Sequence, residues 1–142
     1  MPQTFRELVV WQKAMSLVLQ IYKASRAFPK EEYYGPRSQL RRAAVSIPSN
    51  IAEGQGRMSR GEFVQFLGHA KGSLAEVETQ VEIAKELQFI SPEDHKLIID
   101  LASEVGRTLN GLINSMRRSR DPVSRNVSIM CSSTPGSTTT PT

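Results

Sequence analysis

The side chains with most to offer chemically are cations. Arg37, Arg41 and Arg42 fall close together, Arg57 and Arg60 follow shortly after, and Lys71 joins them on charge alone. On a helix Arg37 and Arg41 stack one turn apart and Arg42 lies further round the outer face. Such a cluster attracts phosphates without regard to sequence, and each neutralised phosphate makes binding more salt-dependent. A second use is internal. Residues 1–71 carry 11 Lys/Arg against 5 acids, a net of +6, whereas residues 72–116 carry 3 against 8, a net of −5. The acidic half could therefore pair with the arginines, in the same subunit or the next, and charge alone leaves nucleic-acid binding and structural pairing both open.

Other chemistry is tested by absence. A ferritin-like di-iron site needs Glu-x-x-His pairs pointing into a bundle, and neither His69 nor His95 has an acid three positions before it. Glu62 and Glu76 lie two turns either side of His69, a weak row that reads as a solvated face. No G-x-x-x-x-G-K-[ST], G-x-G-x-x-G or H-E-x-x-H occurs, and Gly54-Gln55-Gly56 lacks the Lys-Ser/Thr of a phosphate cradle. No acid and base stand paired on one face. The expectation is a protein that is not an enzyme, with no cofactor and no metal. The lone Cys131 lies in a polar tail, so one chain can build neither a disulfide framework nor a cysteine-based zinc site.

The arginines need helices to hold them. From Ser38 onward, Leu40, Ala43, Ala44, Ile47 and Ile51 recur at helical spacing straight through Pro48. A proline there withholds one N–H and crowds the carbonyl of Ala44, so a bend costing roughly 3 kcal/mol is expected, offset by packing. Ser49 and Asn50 offer short groups to the freed backbone, and Gly54 and Gly56 end the helix.

A first helix is expected from a Thr4/Glu7 capping box to about Phe28. Its apolar side chains, Trp11, Leu19 and Tyr22 among them, cover roughly 220° of the circumference, where a surface helix needs little more than 100°. That width suits either the middle of the chain's own bundle or a second face against another subunit. Trp11 reads as a packing anchor, Lys30 to Gly35 as a turn-rich link, Tyr33 and Tyr34 as rim packing, and Pro36 as the first turn of helix 2. A Ser59/Glu62 capping box opens the longest helix. Its stripe is Phe63, Phe66, Leu67, Ala70, Leu74, Val77, Val81 and Ala84. Gly68 and Gly72 beside it are expected where a neighbouring backbone comes close, since a helical glycine otherwise costs about 1 kcal/mol. Ser91, Pro92 and Asp94 start helix 4, with a stripe of Leu97, Ile98, Leu101, Val105, Leu109, Leu112, Ile113 and Met116.

Four amphipathic helices without an alternating strand pattern predict an all-α, antiparallel up-and-down four-helix bundle with a proline-kinked second helix. The chain of 142 residues, 39% hydrophobic and 23% charged, fits one domain. Residues 1–118 form the bundle, and residues 119–142, rich in Ser, Thr and Pro, are expected to be a disordered tail. No apolar run approaches the ~18 residues of a membrane span, and the first residues lack the pattern of a signal peptide, so the cytoplasm is the expected compartment.

Trp11-Gln12-Lys13-Ala14, Gln39-Leu40-Arg41-Arg42-Ala43-Ala44-Val45-Ser46-Ile47-Pro48, Asn50-Ile51-Ala52-Glu53-Gly54, Arg57, Phe66-Leu67 and Gly72-Ser73-Leu74 resemble the signature of the four-helix-bundle proteins encoded in 23S rRNA intervening sequences. That family includes the accessory protein of diversity-generating retroelements. The likeness covers about residues 5 to 116. It departs at Pro36, where the family usually has an apolar residue, and at the Thr-rich close of the tail. The resemblance implies a five-fold barrel of bundles, a basic surface binding RNA or DNA with little sequence preference, and, in the retroelement branch, docking onto a reverse transcriptase. It implies phosphate contact at Arg37, Arg41, Arg42, Arg57 and Arg60, with Lys71 added from charge. The reading from a different class is a scaffold whose basic face docks an acidic protein. Under the wide-face argument and the resemblance, sedimentation at micromolar concentration should show an oligomer. A clean 15.8 kDa species would refute both.

Overall fold

The computed structural model describes residues 4–118, and the expected disordered tail lies outside them. Among these residues every regular element is helical: α1 is Val9–Ser25, α2 Ser38–Gln55, α3 Arg60–Glu86 and α4 Pro92–Arg118. α1 packs on α2 and α4, and α3 packs on the same two, so the four helices enclose one core. The expected stripes supply it. Val10, Ala14, Leu17 and Ile21 of α1 meet Leu40, Ala44, Ile47 and Ile51 of α2, Leu67, Ala70, Val77 and Val81 of α3, and Ile98, Val105, Leu109 and Leu112 of α4, all nearly inaccessible. Contact pairs show the sense of neighbouring helices. Gly54 meets Phe66 while Ser46 meets Ser73, so α2 and α3 run in opposite directions. Leu74 meets Gly106 while Glu82 meets His95, and the same holds for α3 and α4.

The N-terminal expectation shifts by a turn. Thr4 caps a short 3-10 turn, Phe5–Glu7, by accepting from the Arg6 N–H, and Leu8 is extended before α1 begins. Leu8 is extended because its side chain is drawn into the core, which a helix begun at Thr4 would not allow at that register. The Phe5 ring then tilts against Trp11 with centroids 5.3 Å apart, so Trp11 does anchor packing. At the other end α1 stops at Ser25, short of Phe28. The N–H groups of Ala27 and Phe28 reach back only three residues, the tightening expected ahead of Pro29. The link to α2 is itself helical, a 3-10 turn at Lys30–Glu32 and a π turn at Tyr33–Arg37 that contains Pro36. Pro36 thus precedes α2. Tyr34 is 97% exposed and not packed on any rim. Leu97 is exposed as well, and Ala102 fills the α4 stripe.

α2 runs uninterrupted through Pro48, which is buried. Polar groups gather beside it. Asn50 Nδ2 donates to the Ser46 carbonyl at 2.8 Å and to Ser46 Oγ at 3.0 Å, and Ser46 Oγ shares a 2.7 Å hydrogen bond with Ser73 Oγ. Ser46 and Ser73 thereby pin α2 to α3 next to the proline.

The expected close approach is real but sits elsewhere. A Cβ on Gly68 or Gly72 would meet nothing, whereas one on Gly54 would lie 2.6 Å from Phe66 Cβ and 3.0 Å from Phe63 Cδ1. Gly54 lets the last turn of α2 seat on the first turns of α3. Helix ends are otherwise conventional. Ser59 Oγ accepts from the Glu62 N–H and Ser91 Oγ from the Asp94 N–H, each at 3.1 Å. The exception is Gln88, at φ 64°. Its left-handed backbone lets the Phe89 N–H reach the Ala84 carbonyl at 2.8 Å and its own N–H reach Lys85 at 2.9 Å, a Schellman stop built without glycine.

The glycine assignments yield opposite signs. Gly54→Ala should destabilise by about 1–3 kcal/mol through overpacking, although alanine is the better helix former. Gly68→Ala and Gly72→Ala should each gain up to about 1 kcal/mol. Urea unfolding monitored by circular dichroism decides it; equal effects at the three sites would refute the placement.

Candidate nucleic-acid interface

Arg41 is the most constrained of the cations. Its Nε donates to Ser25 Oγ at 2.7 Å, one Nη donates to the Tyr22 carbonyl at 3.0 Å, and the guanidinium lies 4.3 Å from the centre of the Tyr22 ring. Tyr22 and Ser25 belong to the last turn of α1, where carbonyls lack partners within the helix. Arg41 therefore ties the end of α1 to the start of α2. Burial lowers its pKa below the usual arginine value, and the charges of Arg37 and Arg26 lower it further, against the opposing effect of Tyr22 and Tyr33. It stays a cation at neutral pH.

Arg37 lies over Tyr33, 3.7 Å from the ring centre. One Nη of Arg42 donates to Ser38 Oγ at 3.3 Å from an exposed position on α2. Arg26 is exposed at the cap of α1 and within electrostatic reach of Arg41. Arg26, Arg37 and Arg41, with the rings of Tyr22 and Tyr33, thus form one cationic and aromatic group where α1 ends and α2 begins. Arg26 was not among the sequence candidates. Its signal was its place four residues past Tyr22, just beyond the end of α1, but only the fold brings it to Arg41.

The remaining candidates lie apart. Arg57 lies two residues past Gln55, the end of α2, which at a rise of 1.5 Å per residue is about 21 Å along the helix from Arg41. It pairs with Glu53 at 2.9 Å and rests over Phe66 at 4.7 Å. Arg60 opens α3 beside it, and Lys71 is exposed about three turns further on. The single helix 2 to helix 3 surface expected from sequence is therefore divided: Arg37, Arg41 and Arg42 are brought together, Arg57 and Arg60 share the opposite end, and Lys71 stands between neither.

Pairing with the acidic half does not occur for most of these groups. Among the described residues Arg37, Arg41, Arg42 and Lys71 make no ion pair, and Arg57, in the turn after α2, uses Glu53 from the last turn of that helix. Three acids of α3 and α4 take other partners: Glu104 holds Lys13 at 3.2 Å, Glu82 meets His95 at 2.8 Å and Asp100 meets Lys96 at 3.1 Å. His69 stacks on Phe66 with centroids 5.6 Å apart, and among the described residues no group of three or more His, Cys, Asp or Glu is placed to hold a metal ion. No described helix is long and apolar enough to cross a membrane.

A four-helix bundle with a cationic end and an acidic second half is a class held by many unrelated functions. The family is narrower. The model of the 23S rRNA-intervening sequence protein matches residues 6–111, and the chain belongs to that family. It is also similar to a crystal structure of a protein with unknown function from the S23 ribosomal protein family of Bacteroides thetaiotaomicron, at 24% identity and a TM-score of 0.69, covering 74% of this chain and 98% of that one. No curated protein matches.

The geometry separates two neighbouring arginines. Arg41→Ala should cost about 1–2 kcal/mol, because it removes the guanidinium's bonds to Ser25 Oγ and the Tyr22 carbonyl and its stacking on Tyr22, leaving only the bond from the Ser25 hydroxyl to that carbonyl, and Arg41→Lys should recover little, having no planar fork. Arg42→Ala should change stability by less than about 0.5 kcal/mol. Thermal and urea unfolding of the three variants check this.

Proposed function

We propose that this protein is a noncatalytic, oligomeric accessory protein that binds RNA or DNA through its basic surface with little sequence preference. The observation that carries the reading is the cationic group of Arg26, Arg37 and Arg41, with Arg42 beside it, left without acidic partners while acids of α3 and α4 are engaged elsewhere. Unneutralised guanidinium groups beside exposed tyrosine invite phosphate, and no element offers a groove-reading geometry, so phosphate attraction dominates. Within this group Arg41 supports and Arg26, Arg37 and Arg42 contact.

Assembly belongs to the same reading. On α1, Leu19 is 65% exposed, Tyr22 is exposed, and Trp11 and Met15 are half-buried, which leaves the outer side of the wide apolar face available to another subunit. The family resemblance makes that assembly a pentamer, and a ring of weak sites multiplies affinity through effective concentration. A reverse transcriptase is the protein partner that the resemblance offers. The second reading, a scaffold whose basic face docks an acidic protein, draws on the same arginines, which could meet carboxylates as well as phosphates.

Three proteins test the first reading: the chain ending at Arg118, which removes the arginines of the tail, that chain with Arg26→Ala, Arg37→Ala and Arg42→Ala, and that chain with Arg57→Ala, Arg60→Ala and Lys71→Ala. Binding to unrelated duplexes and single strands is followed across salt. The first triple variant should lose at least tenfold in affinity, with a salt slope shallower by roughly 0.7–0.9 per lost phosphate contact, at unchanged oligomer size; the second should lose less. Unchanged binding by the first variant gives the scaffold reading the field.

A further inference from the structure

The apolar surface of α1 continues past the core. Trp11, Met15, Leu19 and Tyr22 fall within about 80° of its circumference at 100° per residue. They are exposed or half-buried, outside the face that Val10, Leu17 and Ile21 give to the bundle. The row lies on the side of α2, because Arg41 reaches over to Tyr22. Val45, one turn after Arg41, is 40% exposed and widens the row.

α3 presents the reverse. Gly68, Gly72, Ala75 and Thr79, all exposed, fall within about 60° of one another and roughly opposite the buried Ala70 and Val77. A Cβ at Gly68 or Gly72 would meet nothing within 4 Å, so the outer side of α3 is a smooth strip. α1 and α3 are diagonal in the bundle, each packed on α2 and α4. Both run antiparallel to α2: Arg41, near its start, meets Tyr22 and Ser25 at the end of α1, and Gly54, near its end, meets Phe66 near the start of α3. They therefore point the same way. Trp11 and Tyr22 are 11 positions apart, as are Gly68 and Thr79, about 16 Å of helix in each case. The contacts of α2 with its two neighbours set the row and the strip at roughly the same level of the bundle.

The charges of the two helices are complementary. α1 carries Lys13 and Lys23 and no acid, whereas α3 beyond Gly72 carries Glu76, Glu78, Glu82 and Glu86 against Lys85. Among the described residues Lys23, Glu76, Glu78 and Glu86 make no ion pair. Lys23 stands at the Tyr22 end of the first row, one turn past Leu19, and Glu86 continues the α3 strip two turns past Thr79. Unpaired charges of opposite sign thus fall toward the same end of the bundle. We propose that the outer row of α1, with Val45, docks on the α3 strip of a second copy of this chain, the two helices running parallel. This rests on the assembly reading above and adds the face that receives α1. Bulky side chains then seat on bare backbone, where helix axes approach to the short end of the usual 8–10 Å. Packing there offsets the roughly 1 kcal/mol that each helical glycine costs. Because the two faces differ and lie on diagonal helices, every copy that joins leaves one of each open. Such head-to-tail contacts make a ring when the rotation closes, and a row and strip at one level on parallel helices need little shift along the axis.

Sedimentation velocity of the full chain at micromolar concentration compares the parent with Leu19→Arg and Gly72→Arg. Both positions are exposed, and circular dichroism with urea unfolding checks that each variant keeps the fold of the parent. Each should weaken assembly by roughly tenfold or more, because an unpaired arginine is costly in an apolar seam, and run mainly as a 15.8 kDa species. Mixed in equal amounts, the two variants should form a dimer and nothing larger, since together they keep one intact α1 row and one intact α3 strip. Assembly of Gly72→Arg like the parent overturns the α3 strip, and if Leu19→Arg still falls apart, α1 remains the assembly surface with another counterpart. A mixture that stays monomeric overturns the head-to-tail pairing. Assembly of both variants like the parent, or a parent that is itself monomeric, overturns the α1 assembly reading together with this one.

Discussion

The seam between α2 and α3 is the constraint on which the other contacts depend. Two helices can approach to backbone distance only where one side chain is missing, and here the missing one is at Gly54, against Phe63 and Phe66. Further up the same seam the Ser46–Ser73 hydrogen bond fixes the register, with Asn50 completing the bonding around Pro48. Together they set the position of α2 along α3, and with it the place of the other end of α2 in the bundle. That is where Arg41 reaches across to α1, so a contact near residue 54 determines what a guanidinium some 20 Å away can touch.

The arginines show how one residue type divides its labour by position. Arg41 faces inward enough to cap α1 and stack on Tyr22, and Arg42, one step round the helix, faces out and bonds only Ser38. Arg57 is held by Glu53 and Phe66. A cluster in sequence is thus a fixed group at one end of α2 and a neutralised pair at the other, and the net charge of the first half of the chain does not distinguish them. What distinguishes them is which partners lie within reach: α1 offers Arg41 a carbonyl, a hydroxyl and a ring, and α2 offers Arg57 the carboxylate of Glu53.

The helices were legible because their signals are local and periodic. The stripes of α2, α3 and α4, the serine caps at Ser59 and Ser91, and the persistence of α2 through Pro48 follow from spacing and from which side chains can bond nearby backbone. Features set by a neighbour were less legible. Spacing shows that a glycine is present, not which backbone approaches it, so Gly68 and Gly72 stood out where Gly54 was the one needed. Leu97 sits about 100° round α4 from the buried Ile98, outside the face that Ile98, Ala102 and Val105 give to the core. The stop after α3 carried no glycine, and nothing in Leu87-Gln88-Phe89 announces a left-handed residue; the pull is the burial of Phe89 against Phe28.

α2 also acts as a ruler. Arg41 and the end of α2 at Gln55, with Arg57 just beyond it, are separated by about 21 Å along the axis, and successive phosphates along one strand of a duplex advance about 3.4 Å. Under the proposed function a strand laid along the helix would pass about six phosphates between one end and the other. Fragments shorter than that would engage one end at a time, so the length of the nucleic acid, quite apart from its sequence, would fix how many of the chain's cations any single molecule could meet.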